Sequence, residues 1–523
     1  MRRMLIALVV LLVWVTSAAA AELMVKVPLD EYQQTKDQLQ ELRKKVNDLE
    51  GKVNKTQDGG EQYSTERLKK MDRDISEIYD TLDQVETRAL LDRINLGAEV
   101  RIRMDNYRVK SYQPMYLGYN IISGNYEWFG PAGAVAPGNE VPYITDKRND
   151  SNWSSRFRIN MQADVSKSLK FNARLALFKN WADSVGAFST DNNRAHVASG
   201  DTNLKVDRFY IDWTPKFIVP VTVSFGRLPT SDGPPLEFKE NRQRQSIYPA
   251  LIFDGEPDGI VTSFGLERYI GLKNAGLRYF YAMATQYDAD QTSMWYLDSV
   301  ADSMYRDTKV HALFFESEIP GFRDSLLVLS YVPATDLLMQ SPDGASAANI
   351  GDVTIYGVHV QFSDLFGWGL DLFGSYGENH NKPNGSSVNM SGLQMGLMSD
   401  DNFGSKSIDT AKTTGSAIYG GIRYELPIDW MNRPKIGFEY NRGSRYWFSF
   451  TPGSSEIYNR LATRGEAFDT YYIQPFNDYL FLRTGYTRIR YKWSGSGMPI
   501  GTPRNYSEKP IFDNFYILLD ARF

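Results

Sequence analysis

The chain has 523 residues, of which 42% are hydrophobic and 13% aromatic, with a formal net charge of −5 and no cysteine. Without cysteine it can have no disulfide, no lipid-modified amino terminus, no covalently attached c-type haem and no thiolate metal site. The small acidic net charge gives no support for nucleic acid as a partner.

Residues 1–21 have the pattern of a secretory signal peptide. Arg2 and Arg3 precede an apolar run at residues 5–15, and small residues follow at 17–21. The run is shorter than the roughly 20 residues that a membrane-spanning helix needs. We therefore expect this segment to be removed on export.

Residues 22–92 change to a heptad pattern. Gly59 and Gly60 interrupt it, so two helices are expected. They pair either with each other or with the same helices of other chains. The sequence thus predicts a periplasmic coiled-coil stalk and a homo-oligomer, with a trimer as one arrangement and peptidoglycan as a further partner of the stalk. One heptad position holds Tyr32, Leu39, Val46 and Val53.

Residues 93–523 alternate apolar and polar residues, as strands between lipid and water do. Long connections alternate strictly with short turns, a segregation that a soluble sandwich has no reason to show. The predicted fold class is all-β: a transmembrane antiparallel β-barrel of about 16 strands, with 14 or 18 as alternatives, preceded by a short α-helical coiled coil. Strands are expected to begin near residues 94, 153, 169, 204, 218, 258, 271, 308, 323, 351, 367, 414, 434, 467, 478 and 511.

The last residues, 511–523, form one of the clearest predicted strands. Phe515, Ile517 and Leu519 share one face, and the chain ends at Phe523. This resembles the terminal strand, with its final phenylalanine, by which the barrel-insertion machinery recognises outer-membrane barrels. We expect Phe523 to be an insertion signal and the protein to lie in the outer membrane, surrounded by its lipid. Tryptophans near predicted strand ends indicate aromatic girdles: Trp153, Trp181, Trp213, Trp368, Trp430 and Trp493.

Basic residues predominate on the face that the alternation turns inward. Around Arg483 and Gly485, on the strand near 478, the alternation slips, which predicts a bulge at Gly485. Such a basic wall would either favour anions or only hydrate the interior. The predicted pore-lining residues are Arg101, Arg103, Arg156, Arg158, Arg174, Arg488, Arg490 and Lys492, with Arg522 on the same face.

The third long connection holds the most distinctive sequence, beginning at Phe225 and rich in proline and glycine. Its position matches the third loop of general porins, which folds inward and narrows the channel. A loop packed over the mouth is the alternative. The candidates for a constriction are Arg227, Asp232, Glu237, Lys239, Glu240, Arg242 and Arg244.

Together these features resemble an uncharacterised family of porin-like outer-membrane proteins with an N-terminal periplasmic coiled coil, found in anaerobic and sulfur- or metal-metabolising bacteria. The features are the signal peptide, the coiled coil, the segment from Gly226 to Pro235, the Asp258-Gly259-Ile260 sequence and the terminal Phe523. The resemblance implies an architecture, but no substrate or site residues.

No enzyme is predicted. The four histidines have no recognisable catalytic spacing, and no cofactor or metal site is expected. The leading hypothesis is a porin whose water-filled channel passes small hydrophilic solutes by diffusion, with a preference for anions. The alternatives are a scaffold barrel around a cytochrome in an electron conduit, and a structural tether between outer membrane and cell wall.

Overall fold

The structure is a computed structural model that covers most of the predicted barrel. The predicted signal peptide, and all of the predicted coiled coil except residue 73, lie outside the described residues. No described helix is long and apolar enough to cross a membrane. The described residues are 73, 94–112, 116–120, 125–130, 133–134, 140–141, 145–181, 203–285, 305–341, 346–390, 393–400, 409–452, 454, 456–506 and 508–523.

Sixteen strands pair in chain order and close into a barrel. The last strand returns to the first in an antiparallel ladder, with Glu99 opposite Arg522 and Lys110 opposite Ile511. The strands are β1 Ile94–Tyr112, β2 Thr145–Ser166, β3 Leu169–Asn180, β4 Asn203–Trp213, β5 Val221–Arg227, β6 Asp258–Gly265, β7 Gly276–Thr285, β8 Thr308–Ser317, β9 Ser325–Thr335, β10 Gly351–Phe362, β11 Leu370–Pro383, β12 Thr413–Glu425, β13 Lys435–Gly443, β14 Gly465–Pro475, β15 Leu480–Tyr491 and β16 Ile511–Arg522.

The prediction of an all-β fold with an antiparallel barrel of 16 strands is therefore confirmed. The strand with the weakest sequence pattern, near 467, is β14, which pairs along its whole length with β15 and from Glu466 to Ile473 with β13. Antiparallel neighbours reverse direction at each connection, and long connections alternate with short ones along the chain. The long connections therefore join strands at one end of the barrel and the short ones at the other. Residues 167–168 and 476–479 are short connections, whereas 228–257 is long.

Small elements occupy the connections. Short strands are Tyr116–Asn120, Asn125–Gly130, Gly133–Ala134, Glu140–Val141, Leu338–Gln340, Ala347–Asn349, Ser387–Met390, Leu393–Gly396 and Asn505–Tyr506. The described helices of four residues are α1 Leu236–Lys239 and α2 Glu267–Ile270, and the 3-10 turns are Leu365–Gly367 and Asp429–Met431.

The chain divides into two compact units of very different size. The smaller comprises Met1–Gly97, Met161–Lys167 and Phe523, so its described part consists of one end of β1 and one end of β2. The larger comprises Ala98–Asn160 and Ser168–Arg522. All the residue clusters considered below belong to the larger unit.

Buried residues alternate with more exposed ones along the strands, so one face of the sheet is more buried than the other. Along β10 and β11 buried positions alternate with more exposed ones, as the pleat of a strand requires. The more exposed face is strongly apolar and aromatic on β12 and β13, where Ile418, Ile436 and Phe438 are each more than 45% exposed. We call this the outward face, and the opposite one the inward face.

The expected bulge at Gly485 is wrong. The register runs unbroken through Gly485 on both sides, where Tyr471 and Tyr516 are its partners. The glycine instead makes room for an aromatic side chain, because a Cβ at this position would lie 2.4 Å from the Tyr516 hydroxyl oxygen. Without a bulge the direction of every later residue of β15 is the reverse of the one predicted.

A bulge that the sequence analysis did not foresee lies in β4. Pairing with β3 passes from Arg174 opposite Arg208 to Leu175 opposite Val206, which leaves Asp207 as the extra residue. Such a bulge lets two successive side chains share one side. Asp207 and Arg208 are accordingly both buried.

Candidate functional site

The connection between β5 and β6, residues 228–257, folds into the barrel. We call it the inward loop. Most of its residues are buried, and Leu228, Ser231 and Leu251 are 0% exposed. An inward third loop was expected from the sequence, and the chain follows such a path; the short helix α1 within it was not predicted.

One side of the inward loop is apolar and packs against the inward face of β6 to β12. Tyr248 makes an edge-to-face contact with Phe314 of β8, with 4.7 Å between ring centroids. Phe253 contacts Phe280 of β7 in the same manner at 5.5 Å. Burying each such ring stabilises the docked loop by about 2 kcal/mol. This wall of the barrel is thus a hydrophobic core and not a wet surface.

Two glycines form a socket for one residue of the loop. Gly357 of β10 and Gly377 of β11 are register partners on the inward face. A Cβ at Gly357 would lie 2.5 Å from Ile252 Cγ1, and one at Gly377 would lie 2.8 Å from Ile252 Cδ1. The absence of side chains at both positions lets the fully buried Ile252 sit directly on the sheet.

The other side of the inward loop is charged and faces an arginine-rich wall. Glu240, just after α1, is ion-paired with Arg101 of β1, and its carboxylate lies 3.2 Å from Arg483 and 3.3 Å from Arg522. Burial alone would raise the pKa of Glu240, but the surrounding guanidinium groups hold that pKa well below its usual range. Glu240 therefore remains a carboxylate inside the barrel.

A second group of ion pairs holds the two ends of the loop. Asp232 lies 2.8 Å from Arg242 within the loop, and Glu256 lies 3.1 Å from Arg208 of β4. Arg174 of β3 donates two hydrogen bonds to Asp207, both 2.7 Å long, and also pairs with Glu256. Buried arginines of the wall are thereby matched with acidic residues of the loop, an arrangement that is stable only while both partners are present.

Residues 444–464 enter the barrel as well, and we call the described part of this connection the second inward loop. Its Trp447 is 0% exposed and donates a hydrogen bond of 2.8 Å from Nε1 to the Leu461 carbonyl. The two loops meet where the Asp254 amide donates to the Phe450 carbonyl over 2.8 Å. A polar cavity of about 30 Å³ lies between them, large enough for one or two water molecules.

Lys239 joins the two loops to the wall. Its Nζ lies 2.6 Å from Glu456 of the second inward loop and 2.5 Å from Asp469 of β14. Burial would raise the pKa of Glu456, but Arg460 and Lys239 outweigh it and lower that pKa to about 2. Glu456 therefore remains a carboxylate at neutral pH.

The structure places most of the predicted constriction residues together. Asp232, Glu237, Lys239 and Glu240 are buried within the barrel, and Arg242 is half-buried beside Asp232. Arg244 is exposed and lies 3.2 Å from Glu316 of β8. Arg227 is the exception, because it lies on the same side of β5 as the exposed Phe225 and pairs with Asp258 at 3.4 Å, outside the lumen.

The predicted pore-lining residues divide into two sets. Arg101, Arg103, Arg156, Arg158 and Arg174 lie on the inward face, and Arg103 donates to Asp105 over 2.7 Å. Arg488 and Arg490 lie on the outward face, which corrects their assignment: the register is unbroken through Gly485, so both share the face of the exposed Tyr486. Lys492 follows the end of β15 and is exposed beside Trp493.

Several inward residues were missed. Arg208 could have been found from the spacing of the outward Val206 and Phe209, which are three residues apart and so indicate a bulge. Arg483 was hidden by the apparent slip at Gly485. Arg460 and Arg464 lie in a connection, where alternation gives no signal. Phe523 directly follows β16, and its predicted role in insertion remains a prediction.

A family model described as "Protein of unknown function (DUF3373)" matches residues 146–516, which is most of the chain. The chain belongs to the DUF3373 family. A comparison of this DUF3373 protein with curated proteins found no match.

Among solved structures, the DUF3373 protein is similar to several outer-membrane proteins. OmpF of Salmonella typhi, in a complex with daunomycin, has a TM-score of 0.42 and 8% identity, with 82% of this chain and 97% of that chain covered. OprB of Pseudomonas putida has a TM-score of 0.44 and 10% identity, covering 83% and 96%. OmpT of Vibrio cholerae, in a trimer form, has a TM-score of 0.38 and 12% identity, covering 83% and 100%. At such low identities and TM-scores these likenesses carry no argument about this chain.

Proposed function

We propose that this DUF3373 protein is an outer-membrane porin that lets small hydrophilic solutes diffuse through its lumen, with the inward loop as the constriction and a preference for anions. The observation that carries the proposal is the acidic side of the inward loop facing an arginine wall inside a closed barrel of sixteen strands. A barrel of this size leaves room for a channel beside folded-in connections.

The outward face supports a place in a membrane. Exposed apolar and aromatic residues form a band around the described strands, including Ile418, Phe438 and Phe515 at 44% exposure or more. Trp213, Trp368 and Trp430 are also exposed and lie beside the short connections. A band of this kind with tryptophan at its edge is typical of outer-membrane barrels.

Arg156 supports the preference for anions. This buried arginine of β2 has no hydrogen-bond partner for Nε or Nη2, and the Glu99 carboxylate lies 3.7 Å from Nη2. Both nitrogens are buried, so Arg156 would attract an anion in the lumen through the field of its charge and not through a direct contact.

The two loops inside the lumen bear on the cytochrome-scaffold alternative. A scaffold needs space for a second folded protein, but the inward loop and the second inward loop occupy part of the interior of the described barrel. The interior therefore favours a solute channel over a sheath. The predicted oligomer, the barrel-insertion machinery and a peptidoglycan-bound stalk remain predictions.

The proposal is tested by single-channel recording in planar bilayers, with reversal potentials measured across a salt gradient. We expect stepwise conductance and a chloride-to-potassium permeability ratio above one. Arg156→Gln should lower that ratio several-fold. The matched control is Arg433→Gln, in a short connection where the arginine pairs with Glu425 at 3.0 Å, and it should leave the ratio unchanged. A correctly folded barrel that conducts no ions would contradict the proposal.

A further inference from the structure

A second polar site lies on the outward face of the barrel, at the end where the long connections are. A cavity of about 840 Å³ opens there above strands β12 to β16. Its lining comes from outward residues at the ends of these strands, among them Arg442, Glu466 and Arg490, and from the connections above them, where Lys492 and Lys509 contribute. This cavity is separate from the lumen, because every strand residue named here points away from the inward loop.

The cavity is strongly cationic. Five basic side chains and one acidic side chain are among its lining residues. Arg445 is paired with Asp400 at 2.8 Å. In the described part of the chain, Arg442, Arg490, Lys492 and Lys509 make no ion pair within 4 Å, so their charge is available to a ligand. Arg442 and Arg490 are register neighbours of Glu466 on either side, which keeps the two guanidinium groups apart across one strand.

An apolar surface continues directly from the cavity toward the middle of the barrel wall. On β13 the outward residues that precede Arg442 are Tyr440 and Phe438, and on β14 Phe468 follows Glu466. The guanidinium carbon of Arg490 lies 5.9 Å from the centre of the Phe468 ring. The basic side chains of the cavity therefore adjoin an aromatic surface that extends from them toward the middle of the barrel wall.

We propose that this cavity binds the phosphate-bearing headgroup of a membrane lipid whose acyl chains lie along the aromatic surface below. The charge selects an anion, and arginine presents paired N–H donors that match phosphate. The adjoining apolar surface selects an amphiphile over a free phosphate ion, since only a lipid can cover both parts. The inference rests on the membrane placement in the proposed function but not on conduction.

The test uses the purified full-length protein, stripped of lipid in a neutral detergent. Binding of diphosphorylated lipid A is compared with binding of phosphatidylcholine by native mass spectrometry. We expect the wild type to retain lipid A at least tenfold more tightly. The double variant Arg442→Gln with Arg490→Gln should lose that preference. Arg488→Gln is the matched control, because Arg488 is outward on the same strand but already pairs with Asp513 at 2.6 Å.

Four outcomes overturn the inference: equal retention of both lipids, an unchanged preference in the double variant, an equal loss in the control, or displacement of lipid A by millimolar inorganic phosphate. A loss of oligomers in the double variant with unchanged lipid retention would also overturn it, since the cavity would then serve contact between copies. Heat-modifiable mobility in gels shows whether each variant is folded. Conductance is not measured, so failure here leaves the channel proposal standing.

Discussion

Glu240 of the inward loop accepts a hydrogen bond from Arg483 of β15, with 3.2 Å between Oε1 and Nη1. The same arginine also donates to the Lys239 carbonyl, so it holds both the side chain and the backbone at the end of α1. Arg522 of β16 donates to the Glu240 carbonyl over 2.8 Å. The carboxyl end of this short helix is thereby fixed to the barrel wall by cations, which also suits the helix dipole.

Replacing Glu240 should release the loop. Glu240→Gln leaves Arg101, Arg483 and Arg522 short of one buried counter-charge, and we expect a cost of about 3–5 kcal/mol in loop docking. The loop should then leave the wall part of the time, and single-channel conductance should rise with more frequent transitions between levels. Planar-bilayer recording measures both.

The control for that change lies three residues earlier, inside α1. Glu237 is buried too, but it accepts a hydrogen bond from the neutral Gln361 over 2.8 Å, and burial raises its pKa. Glu237→Gln therefore removes little charge interaction and should leave conductance close to that of the wild type. Equal effects of both substitutions would show that the ion pairs do not hold the loop.

The pKa of Glu456 predicts how the two inward loops respond to acid. A carboxyl group whose pKa is lowered in the folded state stabilises that state above its unfolded pKa, near 4.5, and loses this contribution as pH falls through its folded pKa, about 2. The contribution at neutral pH is about 3 kcal/mol. Conductance should thus be steady from pH 7 to about 4.5 and change below it. At pH 7 the variant Glu456→Gln should already have the conductance that the wild type has in acid. A change in wild-type conductance between pH 7 and 5 would contradict the lowered pKa of Glu456.

Replacement by alanine should destabilise the barrel at Gly485 but not at Gly374, because the space beside the two glycines differs. A Cβ at Gly485 would lie 2.4 Å from the Tyr516 hydroxyl oxygen and 2.7 Å from the Thr470 carbonyl oxygen. Gly485→Ala should therefore destabilise the barrel by about 1–3 kcal/mol, measured as a lower midpoint in urea. Gly374→Ala is the control, because a Cβ there would have no neighbour within 4 Å. Similar midpoints for the two variants would rule out the steric explanation.

The alternation of apolar and polar residues assigned the faces of β1 and β16, but it failed on β15, the strand that contains Gly485. On β1 and β16 the apolar and polar faces are distinct, and Arg101, Arg103 and Arg522 lie on the inward side that the alternation predicts. The number of strands followed from this pattern and from the connection lengths. On β15 the pattern is ambiguous because Ile489, an inward residue, is apolar and fully buried.

The pattern on β15 is ambiguous because a loop inside the lumen packs against its inward face. Ile489 packs with Val109 and Phe512, and Ile457 of the second inward loop lies against them. Once a connection folds into a barrel, the inward face no longer meets water alone, and the rule that inward residues are polar fails locally. The paths of such connections depend on contacts distant in sequence, which alternation cannot supply. The paired glycines of β10 and β11 have no local signal for the same reason.

Those glycines give the last prediction. Gly357→Ala would place a Cβ 2.5 Å from Ile252 Cγ1, which should displace the apolar side of the inward loop at a cost of about 1–3 kcal/mol. Ile252→Ala alone should cost about 2–4 kcal/mol by leaving a cavity. In the double variant the new methyl group occupies space that Ile252 has vacated, so its cost should be clearly smaller than the sum of the two. Urea midpoints of the four proteins measure this coupling. Additive costs would mean that Ile252 does not rest in the glycine socket.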